Sequence, residues 1–350
     1  MTLFYELIQV ALGNGAALSK NPSAEEWREL FETCQKQAVV GVAFDALEEL
    51  SRQEQKPPLE VLYQWIGMAE QIRQRNLIVN RRCMELSGMF AGAGFRTCVL
   101  KGQGNARLYQ NPLSRTPGDI DIWVDANRSQ IDDFVHVIFP DMKGGKMHIE
   151  YPVFADVAVE VHYLPIYMYA PQHDRQLQSF FKSVSNEQFE HRVTLSGAND
   201  SCAVATPLFN VVQQLVHMMN HVMGEGIGLR QFIDYYFVLK SIHDSQSIIR
   251  HWPEELEKMG LLRFAQGVMW IEKNLVGLED EYLIVEPSER IGRAIQLTIE
   301  EGGNFGHHSS LNTLRHKSLI GRAVGGMHQL LRAMHYFPSE AAWKIIRKVY

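Results

Sequence analysis

Apolar residues recur at three- and four-residue spacing over most of the chain and switch to strict alternation only in a few short runs. A helix face repeats every 3.6 residues and a strand face every two, so the pattern predicts a helix-rich protein with one small sheet. Leu3, Tyr5, Leu7, Ile8 and Leu12 predict a first helix, ended by Gly13-Asn14-Gly15. Ser23, with Glu26 three positions on, is a capping box ahead of Trp27, Leu30, Phe31 and Cys34. Apolar positions continue through Val39, Val42 and Phe44 to Leu50, and after Pro57-Pro58 a long helix is expected from Leu59 to Phe90.

The alternating runs come next. Cys98 to Leu100 is a short strand, followed by Lys101-Gly102 and a helix expected through Ala106, Leu108 and Tyr109. From Asp119 to Val124 the residues alternate, which puts Asp119 and Asp121 on one strand face and Ile120, Ile122 and Val124 on the other. Ser129 to Phe139 reads as a helix stopped by Pro140. Met147 to Phe154 and Asp156 to Tyr163 read as a hairpin joined tightly near Ala155-Asp156. There Val157, Val159 and Val161 face one way and Glu160 and His162 the other, with His148 on the partner strand.

Helices dominate again towards the C-terminus. A helix is expected over 172–190, then a hairpin of Arg192–Leu195 with Cys202–Ala205, then a helix opened by Thr206-Pro207 that carries His217 and His221 one turn apart. Glycines at 224, 226 and 228 precede a further helix with Arg230 and Asp234 spaced i, i+4. Beyond His251 the pattern is helical, with a loop at His307-His308-Ser309-Ser310, a helix end at Leu330–Phe337 before Pro338, and a last amphipathic helix from Glu340 that docks on the body of the protein. The fold expected is α+β: an N-terminal helical unit (1–95), a mixed-sheet core (96–205) and a C-terminal helical unit (206–350).

Two aspartates stacked on one face of an apolar strand repel each other and disfavour strand structure, so a cation between them is the natural remedy, and hard carboxylate oxygens suit Mg²⁺. A strand bearing a third acid, Glu160, is the remaining part of a two-metal phosphoryl-transfer site. Lys101-Gly102 at a strand-to-helix turn and Arg115 in the following loop supply groups for an anion. Plainer uses exist for each feature. The aspartates can be surface groups of an edge strand, His148 and His162 can bond to backbone, and His217 and His221 can serve packing. The helix arginines, Arg73 with Arg81 and Arg75 with Arg82, are expected to be solvated; the minority reading has one of them reach a triphosphate.

The series LKG…LY…R…GDIDIWV followed by VEVH resembles the nucleotidyltransferase superfamily with the DNA polymerase beta-like fold. It is most similar to a bacterial branch of stand-alone nucleotidyltransferase-like proteins. The matching positions are Gly102, Asp119, Asp121 and Glu160. Gly118 stands where the superfamily has a hydrophobic residue, and Lys101-Gly102 stands for its Gly-Ser. The motif spans Leu100 to His162, and a weaker likeness of the His…Gly…Leu-Arg-x-x-x-Asp region extends it to about Lys240. The resemblance implies a small mixed sheet of polymerase-beta type between helical units, and transfer of a nucleoside monophosphate from an NTP, ATP by preference, to an acceptor. Catalysis and metal binding would fall to Asp119, Asp121 and Glu160 with two Mg²⁺ ions; Lys101, Gly102, Arg115, His148, His162 and Arg230 would hold the nucleotide. His148 would assist deprotonation of the acceptor, which is a small molecule or a protein. A catalytically idle nucleotide-binding regulator, a hydrolase and a helical scaffold with merely superficial acids are the competing readings.

Bulk properties narrow this picture. At 350 residues, 46% of them hydrophobic and 21% charged, the chain has the composition of an ordinary globular protein with a sizeable core. A formal net charge of −6 without a basic block argues against extended nucleic acid as a partner. No run approaches the ~18 apolar residues of a membrane span. The four cysteines (Cys34, Cys83, Cys98 and Cys202) form no CxxC pair, so nothing supports a zinc ribbon or redox motif and buried thiols are expected. With no basic, apolar leader at the N-terminus, a cytoplasmic location is expected.

Overall fold

A computed structural model describes residues 2–224, 226–242, 251–303, 334 and 336–349. The expected loop at His307–Ser310, and Leu330–Ala333 of the expected late helix, lie outside the described residues. Helix α1 covers Thr2–Ala11, and α2 covers Ala24–Lys36 with the Ser23/Glu26 capping box in place. The apolar positions that follow fold as two separate short helices, α3 (Val40–Asp45) and α4 (Leu47–Arg52). The break comes at Ala38, whose positive φ of 56° ends α2. Helix α5, Leu59–Gly92, is the long helix expected.

The sheet is built from β1 (Thr97–Leu100), β2 (Ile120–Val124), β3 (His148–Glu150) and β4 (Val159–His162) in the order β1-β2-β4-β3. The central pair β2/β4 is parallel and the two outer pairs are antiparallel, so the sheet is mixed and the fold α+β. Between β1 and β2 stands the short helix α6, Gly102–Ala106, which stops before Leu108 and Tyr109 rather than running through them. Tyr109 instead buries its ring and directs its hydroxyl to Asp234, 2.6 Å away. The β3/β4 hairpin has shorter strands and a longer connection than the alternation suggested, because Pro152 has no N–H to donate to the ladder. Asp119 also falls one residue ahead of β2, not within it.

Alternation gives the sheet two different faces. Ile120, Ile122, Val124, Val159 and Val161 pack with Val79, Cys83, Leu86 and Phe90 of α5 and with Ile131 and Val135 of α7 (Arg128–His136). On the other face, Trp123 meets Phe189 of α8 (Pro171–Glu190) and Phe209 of α9 (Pro207–Val222), at ring separations of 4.6 and 5.9 Å. The small hairpin of β5 (Arg192–Thr194) and β6 (Ser201–Ala203) lies against β1. Helix α10 is Leu229–Ser241, and later helices cover Trp252–Lys258, Leu262–Ile271, Glu289–Gly302 and Pro338–Val349.

The helices from the two ends of the chain share one apolar core, running from Phe4 and Trp27 to Phe264 and Ala341. Gln37 ties them together. Its amide donates to the carbonyl of Ile299 at 2.8 Å and its oxygen accepts from the backbone N–H of Leu229 at 2.8 Å. Among the described residues no helix is long and apolar enough to cross a membrane.

Glu272, which opens a π-helical turn at Glu272–Val276, is fully buried, and neither carboxyl oxygen has a hydrogen-bond partner among the described residues. Burial pushes its pKa well up, so the folded protein holds it as a neutral acid. The unfolded chain ionises this carboxyl above about pH 4.3, so its contribution to stability is complete below that pH and is lost as pH rises towards the folded pKa. Glu272→Met removes both the orphaned oxygens and the titration. We expect it to stabilise the protein by about 1–3 kcal/mol, with the margin over the parent growing between pH 5 and pH 8 in thermal unfolding.

Candidate active site

The parallel pairing of β2 with β4 places Asp121 directly beside Glu160. Both project from the sheet face opposite the buried valine and isoleucine rows. Asp119, just ahead of β2, adds a third carboxylate, and one oxygen from each of the three lies within 4.8 Å of the others. Their environments differ: Asp121 is 5% exposed, while Asp119 opens towards solvent.

Asp121 is held from two sides. Lys101 Nζ is 3.0 Å and His162 Nε2 2.9 Å from the same oxygen, Oδ1. Burial works against a charge here, but the Lys101 ammonium and then His162 outweigh it and hold Asp121 well below the ordinary carboxylate range. Lys101 is in turn raised, since Asp121 and Asp119 overcome the cost of burying an ammonium. His162 is raised as well: burial favours its neutral form, but hydrogen bonding to Asp121 and Glu160 prevails. Asp119 moves the other way, its pKa raised by desolvation first and then by the charge of Asp121. His148, opposite His162 on the antiparallel pair β3/β4, brings its Nδ1 to 3.1 Å from Glu160.

Lys101, Asp119, Asp121, His148 and Glu160 form one wall of a cavity of about 470 Å³, with His162 buried behind them. The facing wall comes from α9 and α10. His217 and His221, with ring centroids 4.4 Å apart, both line the cavity. Burial, then the nearby Lys101, keeps both neutral, His221 falling to about 4. Arg230 lines the same wall and donates to the Thr116 carbonyl at 3.0 Å, its pKa lowered to about 10 by burial and by repulsion from Arg115. Tyr167, Tyr169 and Lys344 close the far end, so the last helix contributes a cation to the cavity.

Arg115 is not an open loop cation. It is 4% exposed, and its Nε and Nη2 donate to the two oxygens of Asp234 at 2.7 and 2.8 Å. Arg230 and Asp234, an i, i+4 pair by spacing, divide their work: Asp234 holds Arg115, and Arg230 turns towards the Thr116–Gly118 loop. None of the four helix arginines lines the cavity. Arg82 instead forks onto Asp156 with contacts of 2.9 to 3.3 Å.

The sequence pattern overlooked the polar frame behind this site. Asn76 of α5 donates to the carbonyls of Leu113 and Arg115 at 2.9 and 2.8 Å, and Gln103 of α6 reaches both Asn76 and Asn80. Its one visible signal is a pair of asparagines a turn apart among Ile72, Val79 and Cys83, on the stripe of α5 that should be apolar. Gly41 completes the frame. A Cβ there would stand 2.2 Å from the Ser114 carbonyl oxygen, so α3 can press against the loop that carries Arg115 only as glycine.

Residues 23–277 match the sequence profile of a family described as an uncharacterised nucleotidyltransferase. The chain belongs to that family. No curated protein matches it. Among solved structures it is similar to an antigenic nucleotidyltransferase-like protein from Paracoccidioides brasiliensis, at 13% sequence identity and a TM-score of 0.29, over 55% of this chain and 94% of that one. Likeness at that level carries no argument. For a nucleotidyltransferase family member the carboxylate cluster has suitable chemistry, because three oxygen donors facing one ammonium leave a negative centre of the kind a hard dication occupies.

The buried Arg115–Asp234 pair is the joint between the two walls. In Asp234→Asn the guanidinium stays buried without its counter-charge. We expect a loss of about 3–5 kcal/mol in chemical denaturation, whereas Glu70→Gln, which breaks a solvated pair with Arg73, should leave the denaturation midpoint in place.

Proposed function

We propose that this protein transfers a nucleoside monophosphate from an NTP, with ATP as the first donor to try, to a hydroxyl or amine of an acceptor, releasing pyrophosphate. The convergence of Asp119, Asp121 and Glu160 on the wall of one cavity, in a chain of nucleotidyltransferase family, carries this reading. These three carboxylates would hold Mg²⁺, and their all-oxygen donor set fits that ion. Bound there, Mg²⁺ would supply charge neutralisation for the triphosphate and lower the pKa of the attacking group.

The chain's own residues do the rest. Lys101 keeps an ammonium beside Asp121, positioned to neutralise charge developing on the leaving pyrophosphate. Gly102, at a φ of +36° on the cavity lining, lets the backbone approach an anion where a side chain would be strained. Arg230 offers a second cation from the helical wall, and Arg115, locked to Asp234, fixes the loop between the walls. His162 orients Asp121, and His148, beside Glu160, takes the acceptor's proton as its oxygen or nitrogen bonds to the α-phosphorus and the bond to the β-phosphate oxygen breaks. The cavity's size suits a nucleotide with a small or side-chain-sized acceptor, and the buried cysteines fit a reducing, cytoplasmic setting.

A second reading rests on the Lys101–Asp121 contact. An ammonium already 3.0 Å from the central carboxylate would let the protein bind nucleotide without turning it over, as a regulator. Thermal-shift titration separates the two. Each NTP is added with and without Mg²⁺, and saturation at about 100 times Kd adds roughly 2.7 kcal/mol. We expect a Mg²⁺-dependent shift with one NTP, with pyrophosphate release once an acceptor is supplied. Asp121→Asn should lower turnover by on the order of 10²–10³ or more. Lys101 keeps Asp119 and Glu160 as counter-charges, and metal-free thermal unfolding checks that the variant folds. Full turnover in Asp121→Asn would remove the assignment, and a shift that ignores Mg²⁺ would favour the regulator.

A further inference from the structure

Beside the oxygen cluster lies a second group of converging donors that contains nitrogen. His148 Nδ1, His162 Nε2 and a Glu160 oxygen all lie within 4.8 Å of one another, with His148 and His162 at 3.1 and 3.5 Å from Glu160 Oε2. Zinc bonds of about 2.0–2.1 Å in a tetrahedral shell put neighbouring ligand atoms roughly 3.3–3.4 Å apart, close to both distances.

Two observations bear on what these histidines could hold. First, His162 is wholly buried and its Nδ1 lies 3.3 Å from the backbone carbonyl of Leu164. A carbonyl accepts, so the Nδ1 position carries the proton, and the Nε2 lone pair then faces Asp121 at 2.9 Å and Glu160 at 3.5 Å. Lone pairs at such distances need a positive charge between them, a second proton or a metal. The arrangement of one ring nitrogen on a backbone carbonyl and the other on the site is the one by which proteins orient metal-ligating histidines. Second, His148 Nδ1 is sealed from solvent and close to Glu160, yet makes no hydrogen bond among the described residues.

We propose that His148, His162 and Glu160 form a cation site for a borderline first-row transition dication of the Zn²⁺ or Co²⁺ class. It adjoins the Asp119/Asp121/Glu160 cluster and shares Glu160 with it. Imidazole nitrogen selects such ions over Mg²⁺, which prefers oxygen throughout. The site goes beyond nucleotidyl transfer and does not rest on it, because the ion is held by the protein alone. An ion on His148 Nδ1 and His162 Nε2 takes up the groups that would serve as base and as partner of Asp121, so its occupancy would compete with the transfer step.

The test uses the full-length protein, stripped of metal and free of nucleotide. Zn²⁺ affinity is measured by competition with a chromophoric chelator, and the visible absorption of the Co²⁺ form reports its ligands. We expect one tightly held ion, a Co²⁺ spectrum of the intense low-coordinate type, and a loss of affinity of at least about 100-fold in His148→Ala, the upper end of what losing even an outer-shell partner costs. Asp119→Asn, outside this trio, should keep both the affinity and the spectrum. His148 sits half-buried on an edge strand, so its variant should fold, which metal-free thermal unfolding checks; His148→Gln is the reserve should it not. Unchanged Zn²⁺ affinity in the His148 variant would overturn the proposal, as would equal loss in Asp119→Asn or a weak, six-coordinate, oxygen-type Co²⁺ spectrum. Absence of a Mg²⁺–NTP shift, by contrast, bears only on the transferase reading.

Discussion

A negative charge has to be kept in a nearly dry place, and much of this molecule is arranged around that requirement. Asp121 sits in the middle of the sheet with 5% of its surface exposed, between a lysine ammonium and an imidazole. A buried carboxylate without such partners would cost several kcal/mol or take up a proton. Lys101 can reach it only because the chain turns sharply at the end of β1, at positive φ for both Lys101 and Gly102. His162 can reach it only because β4 runs parallel to β2 in the register that sets Asp121 beside Glu160.

The supports of that register extend outward. The apolar back of the sheet is seated on α5 and α7, and the same α5 turns Asn76 into the loop that leads to β2 and Asn80 towards the β5/β6 hairpin. The loop is fixed a second time by Arg115, whose buried pair with Asp234 joins sheet side to helical side. A pair of this kind is weak evidence for stability, because desolvation offsets most of the attraction, but it strongly specifies where two surfaces meet. The cavity between them is thus lined by elements far apart in sequence: a strand end, a hairpin, two helices and, through Lys344, the last helix of the chain.

That the cavity's walls differ in charge follows from the same economy of burial. The sheet wall carries the carboxylates, and the helical wall carries Arg230, Lys344 and two imidazoles kept neutral by desolvation. A ligand that bridges the walls meets anionic groups suited to a cation on one side and donors suited to an anion on the other. A metal-bound phosphate ester has both characters at once.

The sequence by itself determined most of the elements and which carboxylates would cluster. Period-two alternation placed Asp121 and Glu160 on the face away from the valines, the Ser23 capping box set the start of α2, and the i, i+4 histidines fell on one side of α9. These are local consequences of side-chain direction, and a single chain records them. Only the tertiary structure decided partners. The Asp234 spacing offered Arg230, but Arg115 occupies it. The last helix looked like a docking surface alone, yet Lys344 lines the cavity. Asn76 of α5 broke an apolar stripe for a loop nearly forty residues away, and Asn80 for a carbonyl more than a hundred residues away. Which donor meets which acceptor depends on where the backbone brings two distant segments together, and a side chain's own sequence neighbourhood carries no record of that.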